Sequence, residues 1–257
     1  MDALIGHTGF VGGTLLRQHS FGACFNTGNI EAITGQSFDT LVFAGAQGKK
    51  WWANQNPAAD RQGIQRALDA LRGVQARRVV LISTIDVVPP VAGANEAFDC
   101  AGLPTHPYGA NRLWLEEEIR ARFAQAIVVR LPGLFGTDLR KNVIYDLLHD
   151  NMVDRIDPAA RFQFYDLSAL WADILRAEVA GLRLIHLVTE PVQTGAIVAR
   201  FIPNAVVGTP PPGGSPAYDF RTRHAAVFGG ADGYIQDSAE VMRRLARFVA
   251  AQRAPAV

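Results

Sequence analysis

The stretch Asp2-Ala3-Leu4-Ile5-Gly6-His7-Thr8-Gly9-Phe10-Val11-Gly12 lies at the start of the chain, and its reading decides the fold. Asp2 to Ile5 predicts a short buried strand, and Gly13-Thr14-Leu15-Leu16-Arg17 predicts the amphipathic helix that follows. Strand, glycine loop and helix in this order form the first unit of a dinucleotide-binding βαβ fold. Gly6 permits the tight turn, Gly9 lets the backbone approach a pyrophosphate, and Gly12 lets the helix pack on the strand. Thr8, Phe10 and Val11 fill the loop at the helix N-terminus, where amide groups and the positive dipole end favour phosphate. A G-x-x-G-x-x-G run alone is a weak signal; a strand immediately before it makes it specific.

Outward from this unit, apolar runs alternate with helical stripes. Phe21 to Phe25 predicts a second strand ending in Asn26-Thr27-Gly28-Asn29. An Asp or Glu is expected there to read the ribose of NAD, and none is present. Asn26 stands at that position as a hydroxyl partner, so NAD and NADP both remain open. Leu41 to Ala44 predicts a third strand running into Gly45-Ala46-Gln47-Gly48, whose small residues Ala44, Gly45 and Ala46 let a cofactor pass. Residues 26–40 leave room for a short helix or rudimentary strand, not a full crossover unit. Asn56-Pro57 predicts an N-cap with proline at the first helical position, and Ile64, Ala67, Leu68 and Leu71 form the stripe behind it. A fourth strand over Val79–Ile82 runs into Ser83-Thr84-Ile85-Asp86. A loop over residues 85–106 precedes a helix from Pro107 to Phe123. Ala126–Arg130 predicts a fifth strand, Leu167–Val179 a helix, Leu184–Val188 a sixth strand and Ser238–Ala251 a closing helix. The fold class is therefore α/β, a Rossmann-like doubly wound parallel sheet with a small C-terminal lobe. The expected division is residues 1–135 with 165–190 as the core, and 136–164 with 191–257 as the smaller lobe.

Composition narrows the function classes. The 257 residues carry 25 basic and 24 acidic side chains, a formal net charge of +1, which gives no electrostatic footprint for nucleic acid or a polybasic membrane patch. No apolar run reaches the ~18 residues of a membrane helix, and the N-terminus lacks the basic segment of a secretory signal. Cys24 and Cys100 are expected as free thiols of a reducing, cytoplasmic setting. The six histidines are scattered without ligand spacing, so no metal is expected.

Four segments end at the carboxyl ends of strands, where ligands of open α/β sheets bind. They are the glycine loop, Ser83-Thr84, Tyr108-Gly109-Ala110-Asn111-Arg112, and Arg130-Leu131-Pro132-Gly133-Leu134-Phe135-Gly136. In this set the chain resembles the extended short-chain dehydrogenase/reductases, the NAD-dependent epimerase/dehydratase family acting on nucleotide sugars. The resemblance covers roughly the first two thirds well and the rest loosely. It implies NAD or NADP as cofactor, held by Gly6, Thr8, Gly9, Phe10, Val11, Gly12, Asn26, Ala44, Gly45, Ala46, Ser83, Tyr108, Arg112, Leu131, Pro132 and Gly133. It implies Thr84 and Tyr108 as the catalytic pair, with Tyr108 the acid or base while hydride passes to or from the nicotinamide. A phenol has a pKa near ~10, and a nearby cation is expected to lower it.

Two departures qualify the resemblance. Arg112 stands where the family pattern Tyr-x-x-x-Lys has lysine. Arginine keeps the charge one turn from Tyr108 and can donate to ribose hydroxyls, but it cannot relay a proton. Asp86 stands at the base position of the family's dehydratases, while Ile85 replaces their acid, so an ordinary dehydratase is not expected. Asp86, Lys141, Asn142 and Arg221 are the expected substrate-binding residues, with Asp86 also a candidate base. Lys49-Lys50-Trp51-Trp52 is a further candidate near the mouth of the site. The function expected is an NAD(P)-dependent oxidoreductase or epimerase of a nucleotide sugar. The alternative is a dinucleotide-binding sensor or scaffold that has lost turnover. The resemblance also implies a homodimer through the helices at residues 57–72 and 107–123.

Overall fold

The computed structural model describes residues 1–103 and 105–253. In chain order the elements are β1 (Ala3–Ile5), α1 (Phe10–Gln18), β2 (Ala23–Phe25), β3 (Ser37–Phe43), α2 (Lys50–Gln55), α3 (Pro57–Ala70) and β4 (Gln75–Thr84). There follow α4 (Pro107–Arg122), β5 (Ile127–Leu131), β6 (Gly133–Phe135), α5 (Val143–Leu148), β7 (Arg161–Phe162), β8 (Phe164–Asp166) and α6 (Leu170–Val179). The chain closes with β9 (Leu184–His186), β10 (Val192–Gln193), α7 (Thr194–Phe201) and α8 (Ser238–Arg253).

The chain divides into two compact units. The first comprises Met1–Pro89, Ala97–Leu131 and Leu170–His186; the second comprises Pro90–Glu96, Pro132–Ala169 and Leu187–Val257. The first unit holds a six-stranded sheet in the order β2-β1-β3-β4-β5-β9, every neighbouring pair parallel. This is the Rossmann-like parallel sheet expected from the sequence. Between β2 and β3 lies only one 3-10 turn, Ile30–Ile33, and β3 returns to pair directly with β1. The crossover unit that residues 26–40 were too short to form is absent, and β2 is the sheet edge.

The core of this unit joins Ile5, Leu41, Phe43 and Leu81 of the strands to Ile64, Leu68 and Leu71 of the α3 region and to Leu115 and Ile119 of α4. The helical stripes offered as a dimer surface are therefore buried within one chain and give no support to a dimer. Two local expectations also change. Asn56 occupies the N-cap position of α3 but makes no side-chain cap; its Nδ2 donates to the Trp52 carbonyl at 3.0 Å. The reason is α2, a six-residue helix that the sequence reading did not separate and that ends directly against α3. The Leu167–Val179 helix is a 3-10 turn, Leu167–Ala169, leading into α6.

In the second unit, β6 pairs in parallel with β8, and β7 pairs antiparallel with β10. Phe135, Ile144, Leu147, Phe164, Ile197 and Leu245 contribute to its own apolar core. The Pro- and Gly-rich residues 208–217 form no regular element. No helix among the described residues is long and apolar enough to cross a membrane.

The glycine loop shows why the first unit needs its spacing. Gly6 has φ +90°, and a Cβ there would stand 2.4 Å from the Ala44 carbonyl oxygen. A Cβ on Gly12 would stand 2.1 Å from the Gly6 carbonyl oxygen. Gly12→Ala should therefore force α1 away from β1. Overpacking of this kind costs about 1–3 kcal/mol, and thermal denaturation should show a Tm several degrees lower.

Candidate active site

Tyr108 and its surroundings lie entirely in the first unit. The α4 N-terminus is held in place by two local bonds. The Tyr108 amide donates to Asn54 Oδ1 at 3.0 Å, and the Gly109 amide donates to His106 Nδ1 at 3.0 Å. His106 thereby caps the helix, with Pro107 at its first position. Gly109 is required for a reason invisible in the sequence. A Cβ there would lie 2.2 Å from the Asp86 carbonyl oxygen, so only glycine lets α4 sit against the turn after β4.

That turn carries the expected partners of Tyr108. Thr84 ends β4, and its Oγ1 accepts from the Asp86 amide at 3.1 Å, capping the 3-10 turn Ile85–Val87. The Thr84 side chain also acts on the Tyr108 hydroxyl, favouring its ionised form. The two residues that the family resemblance couples are thus brought together. Tyr108 is buried, and burial pushes its phenol above the ordinary value. Arg112, Thr84 and Lys50 pull the other way, and Asp86 adds to the rise. The expected cation is present and acts in the expected direction, but burial outweighs it.

Arg112 is buried with Asp60 of α3, and its Nη1 is hydrogen-bonded to the Asp60 carboxylate. Its Nη2 donates to the Gln47 carbonyl, and its guanidinium carbon lies 4.1 Å from the centroid of the Tyr108 ring. Arg112 Nε is buried without a hydrogen-bond partner. Asn111 Nδ2 also donates to Asp60, at 2.8 Å, and to the Pro57 carbonyl at 3.0 Å. Asp60 thus clasps two successive residues of α4. It was missed in the sequence because an acid in the first turn of a helix ordinarily answers only the helix dipole.

Asp86 faces Lys50, whose Nζ donates to Oδ1 at 2.7 Å, and His106, whose Nε2 lies 3.8 Å from the same oxygen. Burial opposes ionisation of Asp86, but His106 and Lys50 together hold its carboxyl below the ordinary carboxylate value. A carboxylate so stabilised is a weak base. Trp51, beside Lys50, is exposed.

The glycine loop supplies a cradle. Gly9 is the N-cap residue of α1, so the amides of Phe10, Val11 and Gly12 lie in its first turn. His7 Nδ1 bonds the Phe25 carbonyl at 3.1 Å, tying the loop to β2. Asn26 Oδ1 accepts from the Gly28 amide at 2.8 Å, which shapes the turn after β2. A Cβ on Gly45 would lie 2.9 Å from Ile5, so the chain after β3 runs close to β1. Ser83 points elsewhere: its hydroxyl donates to Glu116 at 2.6 Å, and Glu116 pairs with Arg130 at 2.7 Å. Leu131 is buried at the end of β5.

The remaining expected residues belong to the second unit. Gly133 lies where a Cβ would meet the Gln163 carbonyl oxygen at 2.8 Å. Pro132 directly precedes it as the first residue of the segment Pro132–Ala169. Asn142 caps α5, accepting from the Ile144 and Tyr145 amides at 3.0 and 3.1 Å and donating to the Leu134 carbonyl at 2.7 Å. Its side chain is used by the fold. Lys141 precedes it. Arg221 pairs with Asp219 at 3.0 Å and lies over the Tyr234 ring, 4.1 Å from the centroid. No group of His, Cys, Asp and Glu side chains that would hold a metal occurs among the described residues.

Residues 22–157 match the model of the NAD dependent epimerase/dehydratase family, more than half of the chain. The chain belongs to that family. Solved structures agree in fold. MoeE5 in complex with UDP-glucose and NAD is 17% identical, with a TM-score of 0.71 over 98% of this chain and 98% of that one. The dTDP-4-dehydrorhamnose reductase of Yersinia enterocolitica is 14% identical, with a TM-score of 0.70 over 97% of this chain and 98% of that one. The RMD of Pseudomonas aeruginosa, complexed with NADPH, is 15% identical, with a TM-score of 0.69 over 99% and 100%. No curated protein matches the chain. In this chain Asp60 pairs with Arg112, one helical turn after Tyr108.

The ion pairs around Asp86 set a pH dependence. Its carboxyl ionises more readily in the folded protein than in the unfolded chain. The stability it contributes is therefore full above the unfolded carboxylate value of about 4 and is lost as pH falls through the lower folded value. Asp86→Asn should show a shallower loss of stability on acidification below about pH 4, measured by thermal denaturation across a pH series.

Proposed function

We propose that the first unit binds NAD or NADP and that the protein is an oxidoreductase or epimerase of a nucleotide sugar. The observation that carries this reading is the Thr84 side chain at the end of β4 beside the buried Tyr108 phenol of α4. Their unit also contains a glycine cradle that Cβ atoms at residues 6 and 12 would fill. In this reading Gly6, Thr8, Gly9, Phe10, Val11 and Gly12 hold the pyrophosphate, through loop amides and the helix N-terminus. Ala44, Gly45 and Ala46 let the dinucleotide pass. The bound dinucleotide supplies the capacity to accept or give hydride. The chain's own residues manage the proton. Thr84 orients the substrate oxygen and hydrogen-bonds Tyr108, whose hydroxyl gives a proton to that oxygen or takes one from it. Asp86, paired with Lys50, binds sugar hydroxyls better than it removes protons.

A second reading has its own support. Arg112 directs Nη1 to Asp60 and Nη2 to Gln47, not outward to a ribose. A dinucleotide-binding sensor without turnover fits that commitment. Tyr108→Phe separates the two. For an enzyme, turnover of nucleotide sugars falls by a factor of about 100 or more, in line with loss of a general acid or base, while dinucleotide affinity is kept. Wild-type protein that binds dinucleotide and transforms no nucleotide sugar supports the sensor.

The form of the dinucleotide follows from charge. Residues 18–48, which include all of β2, the turn after it and β3, contain no lysine or arginine. A 2′-phosphate would meet Asn26, Thr27 and Asn29 there, and the cation beside that turn, Arg66, is already paired with Glu31. NADH should bind more tightly than NADPH in a fluorescence titration, and the reverse order would refute the assignment.

A further inference from the structure

The Tyr108 site contains two cations, and each is matched by an acid. Lys50 is paired with Asp86, and Arg112 with Asp60. The Asp60–Arg112 pair is the more deeply buried, with both side chains only 3% exposed. A single charge at such depth is costly, so each ion needs the other. The geometry does more than neutralise. Asp60 holds one end of the guanidinium and the Gln47 carbonyl holds the other, while the guanidinium carbon stays 4.1 Å from the centre of the phenol ring. Arg112 is fixed over the π-face of Tyr108.

We propose that Asp60 is a positioning residue for Tyr108, which clamps Arg112 against the phenol ring and cancels its charge, so that Tyr108 presents a neutral hydroxyl suited to donating a proton. The proposal rests on Tyr108 being the acid or base of the site. The groups around the phenol are Arg112 and His106 on its own helix and cap, Asp86 and Thr84 after β4, Lys50 on α2, and Asp60 on α3 behind Arg112. With His106 neutral their charges sum to zero. Burial displaces the phenol upward, and Arg112 opposes that displacement.

The test reads the phenol without turnover. NMR of tyrosine labelled at Cζ follows ionisation of all 5 tyrosines, and the Tyr108→Phe variant assigns the signal. Asp60→Asn frees the charge of Arg112, so Tyr108 should ionise at a proton concentration about tenfold higher, one pH unit lower. Asp60→Glu should restore the wild-type midpoint. Arg112→Met leaves Asp60 alone and should move ionisation to higher pH. The double variant Asp60→Asn, Arg112→Met removes both charges, folds without a buried unpaired ion, and should return to the wild-type midpoint.

An Asp60→Asn midpoint equal to wild type overturns the proposal. So does a double variant displaced as far upward as Arg112→Met alone, because Asp60 would then have cancelled nothing. If Asp60→Asn does not fold, the comparison of the double variant with Arg112→Met decides. Loss of turnover in every form, with the titrations as expected, would refute the enzymatic reading and the proton-donating role with it, and leave only the clamping of Arg112 by Asp60.

Discussion

The Gly6 carbonyl oxygen lies 2.1 Å from the point where residue 12 would carry a Cβ. That approach between a turn and the first helix behind it governs the first unit. It lets α1 start directly after β1, which places its N-terminal amides at the carboxyl end of an inner strand. β1 is then paired on both sides, by β2 and by β3. A similar device recurs at Gly109, where α4 approaches the carbonyl of Asp86. Backbone-to-backbone packing is used twice, once to form the glycine loop before α1 and once to bring Tyr108 to the turn after β4. In both places the glycine is needed for the space beside it, and at Gly6 also for its positive φ.

The chemistry of the site follows from where charge is buried. A phenol out of water resists ionisation, and a lone cation near it would offset that cost. This chain places two cations near Tyr108 and gives each a carboxylate within hydrogen-bond reach. Arginine rather than lysine at position 112 is therefore more than a like-for-like exchange. A guanidinium lies flat on an aromatic face and presents its donors in a rigid planar fork, which a compact ammonium on a flexible stem does not do. Asp60 and Gln47 supply the acceptors, so the arginine and its surroundings form one arrangement.

Much of this was legible in the sequence. The parallel α/β sheet, the glycine loop, the missing crossover between β2 and β3 and the helix beginning at Pro107 all have local signatures in glycine spacing and periodicity, whereas the Thr84–Tyr108 pair was implied by the family resemblance alone. What escaped had partners far away in the chain. Asp60 looks like an acid at a helix start until Arg112 is seen beside it. Lys50 reads as a candidate near the mouth of the site, but its partner Asp86 lies 36 residues further along the chain. Asn142 illustrates the opposite error, because a side chain expected at a ligand is consumed by capping α5 and holding the Leu134 carbonyl. The α2 helix was hidden because six residues are too few to show a period.

The direct return from β2 to β1's other neighbour also shapes the margins of the sheet. With no strand beyond it, β2 is an edge of three residues, and the opposite edge, β9, has three as well. The ten residues of β4 are enclosed between them. Long, flat, unpaired edges recruit strands from other molecules, and short ones offer too few hydrogen-bonding groups to do so. Asn26 and Asn29 close the end of β2 at once by turning the chain on their own side chains. The sheet thus tapers toward both sides, and the same shortening that trimmed the ribose side of the fold leaves little template for aggregation.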